Sequence, residues 1–157
     1  MNLTVILQDT YTLSQLKHKV KLLKNYLTHN FFTTGTNLKD AGVADLTWLK
    51  SLNHTFYQNF TKDNINIVFA DLESQLNKLP ILNIYLTFEP DQSTISSIGA
   101  RSRKLFGSTL LLDIKFDPSL IAGAALVWKG IYKDYSLRAK IEEKKTEILT
   151  GFKKYLR

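Results

Sequence analysis

At Pro80 the spacing of apolar residues changes period, and no single kind of secondary structure fits both sides of the change. Before it, Leu13, Leu16, Val20, Leu23 and Leu27 recur at intervals of three and four, which lays one apolar stripe along a helix starting near Thr12. A second helix is expected from about Ala44, with Leu46, Leu49, Leu52 and Phe56 on one side. Ile65, Val68, Leu72, Leu76 and Leu79 mark a third, with Thr61 and Asp63 as candidate caps and Pro80 as its end. Residues 33–42 (TTGTNLKDAG) read as loop. Residues 1–8 fit a strand or a helix equally well.

Beyond Pro80, residues 81–88 (ILNIYLTF) carry the β-branched and aromatic types of a strand. Asp91 or Ser93 can cap a helix reaching Phe106, and Gly107 is placed to close it. Residues 108–116 form a second strand, so the pair joined through a helix implies a parallel, right-handed crossover. The turn Asp117-Pro118-Ser119 leads to a third strand (IAGAALVW), a Lys129-Gly130 turn and a short fourth strand. A long last helix is expected from about Ser136, with Leu137, Ile141, Ile148, Phe152 and Tyr155 facing inward. The expected fold class is α+β. A helical bundle of three to four helices occupies residues 1–80, and a small β-α-β-β-β domain with a long C-terminal helix occupies 81–157.

The 157 residues are 44% hydrophobic and 22% charged, the balance of a folded domain or two small ones. The longest apolar stretch, Leu120 to Trp128, is too short to span a bilayer, and the N-terminus lacks the basic region and cleavage site of a signal peptide. A formal net charge of +7 favours an acidic partner. Lys17, Lys19, Lys21 and Lys24 supply part of it, and the stretch from Ser136 onward supplies more; these residues fall between apolar positions, as on the solvated face of an amphipathic helix. A basic nucleic-acid-associated protein is the alternative reading. Against it, the aromatic residues lie within apolar stripes, and only Arg101, Arg103, Arg138 and Arg157 can make bidentate phosphate contacts.

Catalytic patterns are missing from the sequence. The absence of cysteine excludes thiol chemistry and zinc-thiolate sites. His18, His29 and His54 are too far apart in sequence to suggest a shared metal ion, and neither glycine-rich phosphate-binding pattern occurs. Asp113, Asp117 and Asp134 lack a partner histidine, and Ser119 has no neighbouring base. No catalytic, cofactor-binding or metal site is expected, and no small-molecule substrate.

Residues 117–138 read DPSLIAGAALVWKGIYKDYSLR. Asp117 and Pro118 suit a tight turn, Gly123 a close backbone approach, and Asp134 or Ser136 a helix cap. Arg138 falls in the first turn of the last helix, where the dipole disfavours a cation, so it is expected to pair with Asp117 or Asp134. This segment resembles the signature of the ATP synthase delta subunit (oligomycin-sensitivity-conferring protein) family, D-P-S-L-I-G-G followed by a strand, a turn and D-G-S-x-R. Asp117, Pro118, Ser119, Leu120, Ile121 and Gly123 match in order, then Asp134, Ser136 and Arg138 in the same register. Ala122 and Tyr135 stand where the family has glycine, and 80 residues precede the β-α-β unit where the family has a bundle of about six helices. With the β-α-β pattern upstream, the resemblance covers about half the chain.

The resemblance implies a non-catalytic part of a bacterial rotary F-type ATP synthase, peripheral on the cytoplasmic face of the inner membrane. It implies that the helical half grips N-terminal helices of the alpha subunits and that the C-terminal half grips the C-terminal region of the b subunit. Leu13, Leu16, Val20 and Leu23 are candidates for a groove that takes a partner helix.

Overall fold

The computed structural model describes residues 3–32 and 42–155. Most of the expected loop at 33–42, and the side chain of Tyr155, therefore lie outside the described residues. Helix α1 spans Leu3–Leu7, which settles the open choice at the N-terminus in favour of helix. Helix α2 (Leu13–Phe32) follows, then α3 (Val43–Ser51), α4 (His54–Tyr57) and α5 (Ile65–Leu76). The second expected helix is thus two. Leu52 adopts an extended conformation (φ −69°, ψ 129°), and Asn53 starts α4 by accepting the Phe56 N–H at 2.8 Å. Five helical segments stand among the described residues before Pro80, against the three to four expected.

The stripe on α2 goes where its spacing sends it. Leu16, Val20, Leu23 and Leu27 are buried in one cluster with Phe56, Phe60, Ile65, Phe69 and Leu72, and Leu13 packs at its edge. The rings of Phe60 and Phe69 stack 5.7 Å apart at the middle of that cluster. Neither Thr61 nor Asp63 flanks α5: Asn64 does, without a side-chain cap bond, and Thr61 closes the turn ahead of it. The Thr61 N–H donates to Asn64 Oδ1 at 2.8 Å, and the Asn64 N–H donates back to Thr61 Oγ1 at 3.3 Å.

Strand β1 (Ile81–Leu86), helix α6 (Gln92–Phe106) and strand β2 (Leu111–Phe116) follow Pro80. Asp91 caps α6 by accepting the Thr94 N–H at 2.8 Å, and Gly107 ends it at φ 122°, a value a side chain would resist. A one-turn 3-10 helix (Pro118–Leu120) leads into β3 (Ala124–Trp128) and β4 (Ile131–Asp134). The sheet order is β2-β1-β3-β4, with β1 and β2 parallel and the other pairs antiparallel. Leu82, Ile84 and Leu86 alternate inward along β1, and with Leu110, Leu112 and Ile98 of α6 they form a second apolar cluster.

The two clusters meet at the start of β2, where Leu111 belongs to the first and Leu112 to the second. Thr12 bridges Leu112, so the segment entering α2 extends the sheet edge. Arg103 of α6 fastens this junction. Its Nε donates to the Leu110 carbonyl (3.1 Å), Nη1 to the Leu7 carbonyl (2.8 Å) and Nη2 to the Thr10 carbonyl. The guanidinium also lies 4.7 Å from the centre of the Tyr11 ring, and that ring occupies the space where Gly99 has no Cβ.

The last element departs from expectation. Helix α7 (Leu137–Glu143) and helix α8 (Lys145–Tyr155) are separated at Lys144, and every residue from Lys140 to Thr150 is exposed. Leu137, Ile141, Ile148 and Phe152 do not face inward; they are 42%, 42%, 41% and 63% exposed. The apolar period is real, but the described residues cover these side chains only in part.

Candidate partner-docking site

The residues singled out between 117 and 138 converge on the junction of the sheet and α7. Asp117 Oδ1 accepts the Ser119 N–H at 3.0 Å and the Ser119 hydroxyl at 2.6 Å, which bends the chain into the 3-10 turn that Pro118 begins. Leu120 is driven into the interior and is 1% exposed. Ile121 then takes φ 67°, ψ −54°, and the Ala122 N–H donates to the Leu120 carbonyl at 2.8 Å. That is a γ-turn with positive φ, a conformation that costs on the order of 1–3 kcal/mol, and more readily tolerated by glycine than by a β-branched residue.

Gly123 (φ 88°) answers the close approach expected of it. A Cβ there would stand 2.6 Å from the Tyr135 carbonyl oxygen and 3.2 Å from Ser136 Cα. Two bonds hold the approach: Tyr135 N–H to the Ala124 carbonyl (2.9 Å) and Leu137 N–H to the Ala122 carbonyl (2.8 Å). Gly123→Ala is expected to lower stability by about 2–3 kcal/mol, since the new methyl meets backbone that cannot swing aside and φ is strained besides. Urea unfolding measures this, and a loss under about 0.5 kcal/mol would contradict it.

Of the two candidate caps for α7, Ser136 is the one used; it is fully buried and its Oγ accepts the Ala139 N–H at 3.2 Å. Asp134 works one step outward. Its carboxylate is held down to about 2, first by the hydrogen bonds from the Ser136 side chain and backbone, with Tyr132 and Arg138 adding to them. Arg138 chooses Asp134, with Nη2 3.4 Å from its Oδ2, and reaches the Asp117 turn only through Ser119, whose Oγ accepts from Nη1 at 3.0 Å. The five polar residues Asp117, Ser119, Asp134, Ser136 and Arg138 therefore form one connected set whose bonds run mainly among themselves and the adjoining backbone.

A carboxylate depressed below its ordinary 3.8 favours the folded state while ionised. Its contribution is complete above about pH 4 and fades as the pH falls towards about 2. Asp134→Asn is accordingly expected to be less stable than the parent chain at pH 6, with the gap closing by about pH 2. Thermal unfolding across that range measures it; a constant gap would exclude the carboxylate as the cause.

A surface groove lies beside three of the four residues Leu13, Leu16, Val20 and Leu23. Leu13, Leu16 and Val20 of α2 lie on one side and Leu76 on the other of a groove of about 550 Å³, rimmed by Lys17, Lys21 and Lys24, the last paired with Glu73 of the same rim at 3.6 Å. Leu23 does not line it, and Leu16 and Val20 reach it from the buried helical cluster, so Leu13 is the most open of the four.

No protein-family model matches the chain. Over 80 residues it is 35% identical to the ATP synthase subunit delta of Verminephrobacter eiseniae (strain EF01-2). The chain is similar to a delta subunit. That match takes in 51% of this chain and 44% of the relative, so the chain spans less than half the length of the curated protein it matches.

Among the described residues no three His, Cys, Asp or Glu side chains are grouped to hold a metal ion, and no helix is long and apolar enough to cross a membrane. Asp113 faces Lys115 at 3.4 Å, and His18 Nε2 lies 3.0 Å from Asp45 Oδ1. For Leu137, Ile141, Ile148 and Phe152 the sequence carries the spacing but not the direction in which the side chains face. Ile121 was picked out only as part of the motif, and nothing in its residue type signals a γ-turn.

Proposed function

We propose that this chain is a non-catalytic connector in the peripheral stalk of a rotary F-type ATP synthase. In this reading it ties the alpha subunits of the catalytic head to the b subunit and resists rotor torque during proton-driven ATP synthesis. The observation that carries it is α7–α8: a helical arm whose apolar residues Leu137, Ile141, Ile148 and Phe152 stay exposed among the described residues. A helix of eleven residues such as α8 is marginal in water without packing, so the arm calls for an outside surface. The similarity to a delta subunit supports the same reading.

The proposal divides the work at Pro80. Residues 1–80 take an N-terminal helix of the alpha subunit in the lysine-rimmed groove of α2 and α5, where a partner's apolar i, i+3, i+4 residues can be buried. Residues 81–157 take the C-terminal region of b along α7–α8. The set formed by Asp117, Ser119, Asp134, Ser136 and Arg138 shapes the base of that arm; it does not perform chemistry. The chain would then sit peripherally at the cytoplasmic face of the bacterial inner membrane, reaching the membrane only through the complex. Co-purification with alpha and b subunits tests this. Retention of both at moderate salt is expected. Indifference to both at low and moderate salt, or salt-sensitive retention on nucleic acid instead, would sink it.

A further inference from the structure

We propose that Ile121 is the apolar anchor of the α7–α8 docking face, and that the face is built for an acidic amphipathic helix. This rests on reading α7–α8 as a docking surface and names the residue and partner chemistry that the surface selects.

The reason lies in a mismatch between the conformation of Ile121 and its packing. Its γ-turn is held from both sides, by Leu120 in the interior and by the Leu137 N–H on the Ala122 carbonyl. The strain is therefore enforced by the surroundings. Strained backbone of this kind clusters where a protein meets its ligands, and the Ile121 side chain is 59% exposed and belongs to neither apolar cluster. Glycine would hold the same turn without strain. What the isoleucine adds is an exposed apolar side chain, stiff at χ1 through its β-branch, on a fixed turn one hydrogen-bonded step from Leu137, where the exposed residues of the arm begin. A rigid apolar group at the end of such a stripe has the character of an interface anchor, because little entropy is lost when it is covered.

Charge around the stripe specifies the partner. Leu137 and Ile141 share one face of α7, and Ile148 and Phe152 share one face of α8, each pair four residues apart. Lys140, Lys144 and Lys145 adjoin these pairs, all exposed, and Lys153 and Lys154 follow at the tip. Glu142, Glu143 and Glu147 are the acids of the same arm, so the balance is basic. Arg138 is already engaged with Asp134 and Ser119. A helix with its own leucine stripe bordered by glutamates complements both features.

The test uses the full chain and a fluorescent synthetic peptide of about twenty residues, long enough for several helical turns, with leucines at i, i+3, i+4 and i+7 and flanking glutamates. A twin peptide carries lysines in place of the glutamates. The parent chain is expected to bind the acidic peptide and to prefer it over its twin. Ile121→Gly is expected to weaken that binding about tenfold or more while raising the thermal midpoint, because the strain is relieved as the anchor is lost. Ile121→Val, which keeps a β-branched apolar group, is expected to bind like the parent. If Ile121→Gly binds as the parent does, the anchor role is overturned and the docking face stands. If the parent chain binds neither peptide, or binds the basic twin better, the face itself or its acidic partner is overturned.

Discussion

Replacing Arg103 with methionine is expected to destabilise the fold by about 3 kcal/mol, among the largest effects of any single change outside the apolar clusters. Methionine keeps the length and apolar stem of the side chain but removes three donors at once. The carbonyls of Leu7, Thr10 and Leu110 are then left to find other partners in a partly buried setting. Hydrogen bonds from a charged donor are worth about 1.5–3 kcal/mol each, and relaxation towards water recovers part of the sum. The Tyr11 ring, packed in the space that Gly99 leaves open, also loses the cation stacked against it. Arg103→Lys is expected to recover little, since an ammonium on a flexible stem cannot serve three divergent carbonyls as a planar guanidinium does. Urea unfolding of the three proteins provides the measurement. A loss under about 1 kcal/mol in the methionine variant would mean that the junction between α1–α2 and α6–β2 is held by apolar packing alone.

Arg103 also illustrates what the sequence could and could not disclose. Its acceptors are backbone carbonyls, two of them more than ninety positions away. Carbonyls belong to every residue, so no pattern of side chains announces such a bond. Features written in side-chain type and local spacing were readable instead. The period change at Pro80, the caps at Asp91 and Ser136, the closing Gly107 and the preference of Arg138 for a nearby carboxylate all depend on neighbours within a few residues. The break between α3 and α4 was hidden because the apolar spacing runs through Leu49, Leu52 and Phe56 without interruption, while the turn is made by backbone angles at Leu52 and the side chain of Asn53. Ile121 was hidden for the opposite reason. Its residue type argues against the positive φ that its surroundings impose. On α7–α8 the ambiguity is more basic: an apolar stripe at helical spacing has the same pattern whether it faces its own core or another molecule. Only the position of the rest of the chain decides between them.

That ambiguity gives the second large prediction its force. The double variant Ile148→Glu with Phe152→Glu is expected to abolish co-purification with a stalk partner, with affinity falling by a factor of hundreds or more. Covering an isoleucine and a phenylalanine contributes about 1.5–3 kcal/mol apiece, and losing some 4 kcal/mol corresponds to about a thousandfold in the dissociation constant. Against an acidic partner helix the new glutamates add repulsion to the lost burial. The chain itself is expected to be nearly unaffected, within about 0.5 kcal/mol in urea, because both side chains are exposed and neither belongs to an apolar cluster. Phe69→Ala supplies the contrast. It removes a ring that is 1% exposed at the middle of the helical cluster and is expected to cost about 3–5 kcal/mol of stability. A stripe that served the chain's own core would behave like Phe69, losing stability first and binding only as a consequence. A stripe that served a partner loses binding at full stability. Retained co-purification would remove α7–α8 from the interface, and a large loss of stability in the double variant would mean that the arm packs on its own chain in solution.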